Sequence, residues 1–452
     1  MIERRLQSRL GEILGPEHLI EGDRRYEHDA SLSRGLRARP DLVALPGTTS
    51  QVAEVIRLCC SHGVPVVPRG GGTGFAGGAV ATSGGLVLSL ERMTAVRNLE
   101  PLLWRMEVEA GLTTRDVQRL ARENGLLFPP DPGAAEQSQI GGNVATNAGG
   151  PHAFKYGTTG AWVTGVEAVV PPGEVVRFGG PLRKDVSGYD LHHLMVGSEG
   201  TLGVITAVWL RLIPRPEASL PVVALYPDAQ AGGAAVQQVL ASGVVPAALD
   251  FLDAATVAAA GATMPVAEPR GFALLAELDG APEEVERQRP ALLEALEPGA
   301  LAVHVPDAAA LWSWREGVSL AVEAQHGGKL SEDIAVPVEH LAAAVDEVLA
   351  IGARHGLPAC SWGHAGDGNL HATFMIDASD PTEVARAERG ATELFALADR
   401  LGGSVSGEHG VGHLKREHVG ARWNDHERAL QRAVKHAFDP HDLMNPGKKL
   451  PA

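Results

Sequence analysis

The sequence predicts an α+β protein of two domains, and three observations carry that reading. From Asp41 onward, short apolar strands alternate with amphipathic helices, each closed by glycine or proline. At Ile213-Pro-Arg-Pro216 the texture changes, and an Ala-rich stretch follows that mixes strands with helices. Glycine accounts for 54 of the 452 residues, against a usual share of about 7%. That excess gathers in a few loops, where the function is expected to lie. The expected segments are 1–216 with a helical N-terminal arm over 1–40, 217–430, and a turn-rich tail over 431–452.

The elements follow in order. Asp41–Leu45 reads as a strand stopped by Pro46-Gly47. Thr49 or Ser50 caps a helix with Val52, Val55, Ile56 and Cys59 on one face, and Gly63 ends it. Val64–Pro68 is a strand that runs into Arg69-Gly-Gly-Gly-Thr-Gly74. A second helix starts at Thr113 or Thr114, and Val204–Leu212 alternates as a strand. Beyond the change of texture, Leu220–Leu225 and Phe272–Leu278 read as strands. Leu341–Ile351 and 383–401 read as helices. The most apolar window, Ala247–Ala267, carries Asp250 and Asp253 and reads as a buried or interfacial helix rather than a membrane span.

Composition excludes several classes. Hydrophobic residues at 44% and charged residues at 21% are ordinary for a globular chain, which excludes a mostly disordered one. A net charge of −16 argues against nucleic acid as a partner. The charged N-terminus lacks the apolar region of a secretory signal. Cys59, Cys60 and Cys360 form no CxxC and cannot supply the four usual ligands of an iron–sulfur cluster. A reduced, cytoplasmic chain is expected, with contact at the inner face of a membrane compatible.

Three glycine loops stand out. Gly72-Thr-Gly-Phe-Ala-Gly77 matches G-x-G-x-x-G after a strand, with Glu91 near the ribose-binding spacing. That motif needs a helix to begin at the glycines, but Gly78, Gly84 and Gly85 follow, each costing a helix about 1 kcal/mol. A nest is expected instead, in which the successive amides of Gly70–Gly74 point at one anion with Arg69 nearby. The second loop, Ile140-Gly-Gly-Asn-Val-Ala-Thr-Asn-Ala-Gly-Gly150, offers Asn143, Thr146 and Asn147 as donors. The third is Val196-Gly-Ser-Glu-Gly-Thr-Leu-Gly-Val-Ile-Thr206. Three such loops suit a long ligand with a diphosphate, a sugar-like part and a ring system.

In order and rough spacing these loops, with Lys184-Asp-Val-Ser-Gly-Tyr-Asp-Leu191, resemble the FAD domain of the vanillyl-alcohol oxidase and p-cresol methylhydroxylase superfamily. The likeness runs most strongly to the D-lactate dehydrogenases, the glycolate oxidase flavin subunits and the D-2-hydroxyglutarate dehydrogenases. It implies a two-subdomain FAD-binding domain of the p-cresol methylhydroxylase type and an α+β cap domain with an antiparallel sheet. By that likeness Arg69, Gly70, Gly71, Gly72, Thr73, Gly74 and Gly78 lie at the FAD pyrophosphate. Asp131, Gly141, Gly142, Asn143, Thr146, Gly150 and Tyr156 line the ribityl chain and ring. Glu199, Gly203 and Ile205 belong to the adenosine half, and Asn445 returns to the ring edge. Two departures are visible. Gln139 stands where the family has Ser or Thr, and Thr73 or Gly74 stands where some relatives carry a flavin-linked His. Noncovalent FAD is therefore expected.

The second half carries Gly363-His-Ala-Gly-Asp-Gly-Asn-Leu-His371 and Ser406-Gly-Glu-His-Gly-Val-Gly-His413. His364, His371 and Glu408 make an N,N,O set for a divalent metal, zinc first, with manganese or iron as alternatives. The resemblance implies the same three as ligands and His409 as the base, an imidazole whose ordinary pKa near 6.5 suits that task. It also implies Arg315 as the clamp for a substrate carboxylate, Lys329 as a second cation, and Asn369 as a substrate contact. The implied reaction is oxidation of a small (R)-2-hydroxy acid to the 2-keto acid, with hydride passing to flavin N5. D-lactate or glycolate is the first expected substrate and D-2-hydroxyglutarate the second. Electrons would then leave for a quinone, a cytochrome, an electron-transfer flavoprotein or an iron–sulfur subunit, with oxygen also open. A homodimer is compatible. The alternatives are a flavin-holding accessory subunit, which would lack these histidines, and a same-fold enzyme such as an alkyl-glycerone phosphate synthase, which would want a more basic pocket.

Overall fold

The structure, a computed structural model, describes residues 2–451. The chain divides into two compact units. One comprises Met1–Ala148, Thr158–Arg215 and Glu408–Ala452, and the other Gly149–Gly157 and Pro216–Gly407. The chain thus re-enters the first unit at Glu408, ahead of the expected 431, and a short piece of the glycine-rich segment belongs to the second. No described helix is long and apolar enough to cross a membrane.

The described residues of the first unit hold two larger sheets and a two-stranded pairing of Leu126–Leu127 with Ile213–Pro214. A four-stranded sheet runs in the order Leu19–Ile20, Leu42–Ala44, Leu86–Ser89, Val66–Arg69, and its last two pairings are parallel. The helix Thr49–Ser61 makes the crossover between Leu42–Ala44 and Val66–Arg69. It begins where the Thr48 hydroxyl accepts the Gln51 amide, one residue earlier than expected, and buries Val52, Val55, Ile56 and Cys59. A five-stranded antiparallel sheet runs Val96–Glu100, Arg105–Glu109, Val204–Arg211, Val163–Val170, Glu174–Gly179. The N-terminal arm is helical only over Arg4–Leu14, where Leu6, Leu10 and Leu14 repeat every fourth residue and are buried. Residues 15–40, expected as helix, make short 3-10 turns and the strand Leu19–Ile20. Glycines at 15, 22 and 35 with φ of 90°, 70° and 75° break the helical period.

The second unit is built on one seven-stranded antiparallel sheet. Its order is Ala302–His304, Ala218–Tyr226, Phe272–Gly280, Ala248–Leu252, Ala359–His364, Asn369–Met375, Lys329–Ala335. Ala248–Leu252 is a central strand, followed by a helix only at Ala254–Ala260, which corrects the single helix expected across 247–267. Five buried residues in succession carry no period, so burial alone could not separate strand from helix there. The two sheet faces differ in kind. Phe251, Phe272, Leu274, Leu370 and Phe374 belong to a mostly apolar face, packed with residues of the helices Ala229–Ala241, Pro282–Leu296, Leu341–Arg354 and Pro381–Arg400. The opposite face is apolar at Leu225, Leu252, Leu275 and Trp362, beneath Ala254–Ala260 and Ala308–Ala324. Further along, that face turns polar.

Candidate functional site

In the first unit the three glycine-bearing segments converge. A β-carbon built on Gly70 would lie 3.4 Å from the Gly142 Cα. The amides of Gly197 and Glu199 donate to the carbonyls of Val144 and Ala145 at 2.9 and 2.7 Å. The Asn445 amide, arriving from the tail, donates to the carbonyls of Gly78 and Glu199 at 2.9 and 2.7 Å. Residues 70–85 form turns and no helix, as left-handed glycines at 72, 77, 84 and 85 require. Ile140–Thr146, by contrast, is a short helix where a loop was expected.

The glycines divide by role. A β-carbon at Gly71 would lie 1.9 Å from the Gln137 carbonyl oxygen, and at Gly141 2.5 Å from the Ala110 β-carbon, so these two permit close packing of main chain. At Gly74 nothing lies within 4 Å, and at Gly78 and Gly142 only one atom lies near that limit. The bare main chain of these three faces room that a ligand can fill. Buried beside them are acceptors with no hydrogen-bond partner among the described residues: Gln139 Oε1, Ser198 Oγ and Asn445 Oδ1. Unpartnered buried polar atoms are rare in a finished fold, so this cradle fits an elongated polar cofactor.

Several expected cofactor contacts are engaged elsewhere. The Arg69 guanidinium donates to the carbonyls of His28 and Arg25 at 2.7 and 3.0 Å and lies over the Tyr26 ring, so it braces the N-terminal arm rather than facing an anion. The Asn143 amide donates to the Thr114 hydroxyl at 2.5 Å, and the Thr146 hydroxyl donates to the Gly142 carbonyl at 3.1 Å. Glu199 was expected at the adenosine half. Its carboxylate instead accepts the amides of Val411 and Gly412 at 3.0 and 2.6 Å, with Lys449 at 3.4 Å. It therefore holds the main chain just after His409, whose ring lies tilted against Phe75 at 4.7 Å between centroids. Gly203 abuts the Val169 carbonyl, Ile205 lies buried opposite Ala168, and Asp131 is half-buried after Pro130. Gly150 and Tyr156 fall in the second unit, where the Tyr156 hydroxyl donates to Asp279 at 2.6 Å. Burial, then that carboxylate, push the Tyr156 phenol well above its ordinary range.

In the second unit the polar part of the sheet face assembles the remaining candidates. Residues directly opposite each other on antiparallel strands share a face. Asp250 lies opposite His364, His364 opposite Asn369, and His371 opposite both Trp362 and Asp333. The ligand nitrogens of His364 and His371 come within 4.8 Å of one another, close enough to share an ion. The ring faces are nearly perpendicular, with centroids 5.6 Å apart. Arg315 reaches this face from the helix Ala308–Ala324, on the same buried stripe as Leu311 and Val318. Its Nε and Nη2 both lie 2.8 Å from Asp250 Oδ2. Asp250 Oδ1 accepts from His364 Nδ1 at 2.7 Å. Burial alone would raise the Asp250 carboxyl, but His364 and Arg315 outweigh it and hold the group below its ordinary range.

Asp333, also fully buried, accepts from the Asn369 amide at 2.5 Å, the Ser406 hydroxyl at 2.8 Å and the Gly407 amide at 2.9 Å. Gly407 is thus anchored in this unit, and Glu408 is the next residue in the chain. Asn369 Oδ1 is buried with no partner among the described residues. Lys329 is a correction. Its ammonium donates to the Ser319 carbonyl and hydroxyl at 2.5 and 2.7 Å and pairs with Glu323 at 3.1 Å. It sits four positions along its strand from Asp333, roughly 13 Å away at about 3.3 Å per residue. The roles of Asp250 and Asp333 escaped the sequence reading because their partners lie far off in the chain.

Comparison with known proteins shows the family of the chain. Residues 40–179 match the family of FAD binding domains, and residues 215–449 match the FAD linked oxidases, C-terminal domain. The glycolate oxidase subunit GlcD of Bacillus subtilis (strain 168) is 36% identical, over 99% of this chain and 97% of its own. A D-lactate dehydrogenase of Anaerostipes hadrus is 34% identical, over 96% of this chain and 95% of its own. Among solved structures, p-cresol methylhydroxylase superposes with a TM-score of 0.81 at 18% identity, covering 99% of this chain and 97% of that one. That last likeness concerns the fold alone.

Proposed function

Because the chain belongs to the family of FAD linked oxidases and is an FAD-dependent oxidoreductase of the hydroxy-acid-oxidising kind, we propose that it oxidises a small (R)-2-hydroxy acid, D-lactate or glycolate, to the 2-keto acid. The observation that carries this reading is the polar sheet face. It brings two imidazole ligand nitrogens within 4.8 Å of one another beside a buried arginine. An accessory subunit without chemistry has no use for that combination.

His364 and His371 hold a divalent metal, zinc by preference, and Glu408 supplies the third ligand from the residue after the anchored Gly407. Bound FAD supplies the two-electron acceptor and the bound metal supplies Lewis acidity toward the substrate hydroxyl. Arg315 offers Nη1, the end of its guanidinium away from Asp250, to the substrate carboxylate. His409 accepts the hydroxyl proton on its imidazole. Asn369 turns its Oδ1 acceptor toward the substrate. FAD is held noncovalently. Since the sequence has only three cysteines, the electrons pass to an external acceptor rather than to an iron–sulfur cluster of this chain.

The test is anaerobic bleaching of the purified yellow protein against a panel of D- and L-2-hydroxy acids. Rapid bleaching by D-lactate or glycolate and none by the L-acids is the expected result. Bleaching by no 2-hydroxy acid would defeat the reading.

A further inference from the structure

We propose that Asp250 is a positioning residue that couples the two halves of the substrate site, by holding the metal ligand His364 with one carboxylate oxygen and Arg315 with the other. The proposal rests on the functional reading above, and it concerns a residue to which that reading gives no task.

The geometry is specific. Asp250 lies in the central strand Ala248–Leu252 and is fully buried. Its Oδ1 is 2.7 Å from His364 Nδ1, and its Oδ2 is 2.8 Å from both Nε and Nη2 of Arg315. An ionised carboxylate only accepts hydrogen bonds, so His364 carries its proton on Nδ1. That tautomer directs the lone pair of Nε2 to a metal. A carboxylate behind a ligating histidine fixes the ring and raises its basicity. The same carboxylate occupies the Nε edge of Arg315 and fixes the plane of the guanidinium. One side chain therefore sets the distance between the metal and the point where the substrate carboxylate docks. Both partners arrive from elsewhere, His364 from the adjacent strand Ala359–His364 and Arg315 from the helix Ala308–Ala324. Without Asp250, nothing else in this set relates them.

Asp250→Asn separates the two tasks, because an amide has one acceptor oxygen and one donor nitrogen. In one orientation the amide donor faces Arg315, which cannot accept. In the other it faces His364 Nδ1, and the ring then moves its proton to Nε2 and no longer ligates as a neutral base. The experiment uses the FAD-loaded protein throughout. Zinc affinity is measured by competition with a chromophoric chelator, independently of turnover, and KM and kcat are measured in parallel. A 10- to 100-fold weaker zinc affinity is expected, the range for loss of such a partner. KM should rise at least about tenfold, with FAD content unchanged. Zinc affinity and KM both within twofold of the wild type would overturn the proposal. A wild-type protein that binds no stoichiometric zinc would instead defeat the metal reading beneath it. Should the Asn variant fail to fold, the wild-type protein loaded with 113Cd decides the matter by NMR. Coupling of 113Cd to Nε2 of His364, identified by its absence in His364→Gln, supports the proposal, and coupling to Nδ1 refutes it.

Discussion

His409 is covered on one side by Phe75 at 4.7 Å, and the main chain that follows it is fixed by Glu199. An imidazole held this way depends on both supports. His409→Ala should lower kcat by about 10²–10⁴-fold with FAD content unchanged, read by steady-state kinetics on the yellow protein. A loss of less than tenfold would assign the proton to another group. Glu199→Gln keeps the shape but replaces one charged acceptor with a donor facing an amide. It should destabilise the protein by about 1–3 kcal/mol in denaturant unfolding and lower kcat as well. At this scale the sequence revealed the groups proposed to do chemistry and concealed those that hold them. His364, His371 and His409 declare themselves by glycine-flanked spacing. Asp250, Asp333 and the actual work of Glu199 depend on partners 36 to 213 residues away along the chain. No local pattern records such pairings.

Strands and helices meet a different test. In the second unit Phe374 is fully buried against the helix Pro381–Arg400, where a β-carbon at Gly390 would lie 2.8 Å from its ring. Phe374→Ala should cost about 3–5 kcal/mol, visible as a lower Tm, while kcat of the remaining folded protein stays near normal. In the first unit Glu167, on the strand Val163–Val170, accepts from Thr49 and Arg97 at 2.8 Å and Arg177 at 2.6 Å. Burial opposes its charge, but these three groups outweigh it and bring the carboxyl down to about 2. Its ordinary value in an unfolded chain lies near 4.5. The folded value is lower, so this group stabilises the fold above about pH 4.5 and loses that contribution as pH falls toward 2. The wild-type urea midpoint should therefore drop between pH 5 and 3, and Glu167→Gln should show a lower midpoint at pH 7 and a shallower fall. Most elements were legible because their periods are clean, as at Thr49–Ser61 and Pro381–Arg400. Ala248–Leu252 was not, since a strand buried on both faces has no alternation to read.

For the molecule as a whole, the FAD and the proposed metal should be separable. Chelation should abolish turnover while the visible flavin spectrum persists, because the histidine pair and the glycine cradle belong to different units. Acid precipitation should release the yellow colour into the supernatant, and colour retained in the pellet would show a covalent link. The two-part organisation was visible in the change of texture near residue 213, whereas the early return of the chain at Glu408 was hidden, for no shift in composition marks it.

The unlike faces of the seven-stranded sheet have a consequence for anyone reshaping this protein. Randomising positions beneath the four outer helices should yield variants that differ in heat resistance yet turn over alike. Randomising the Asp250, His364, Asn369 and His371 row should change turnover and metal affinity first, with a cost in stability wherever the buried Asp250 pair is broken. A library aimed at a new acid therefore belongs on one side of a layer a single side chain thick, with the other side left untouched as its foundation.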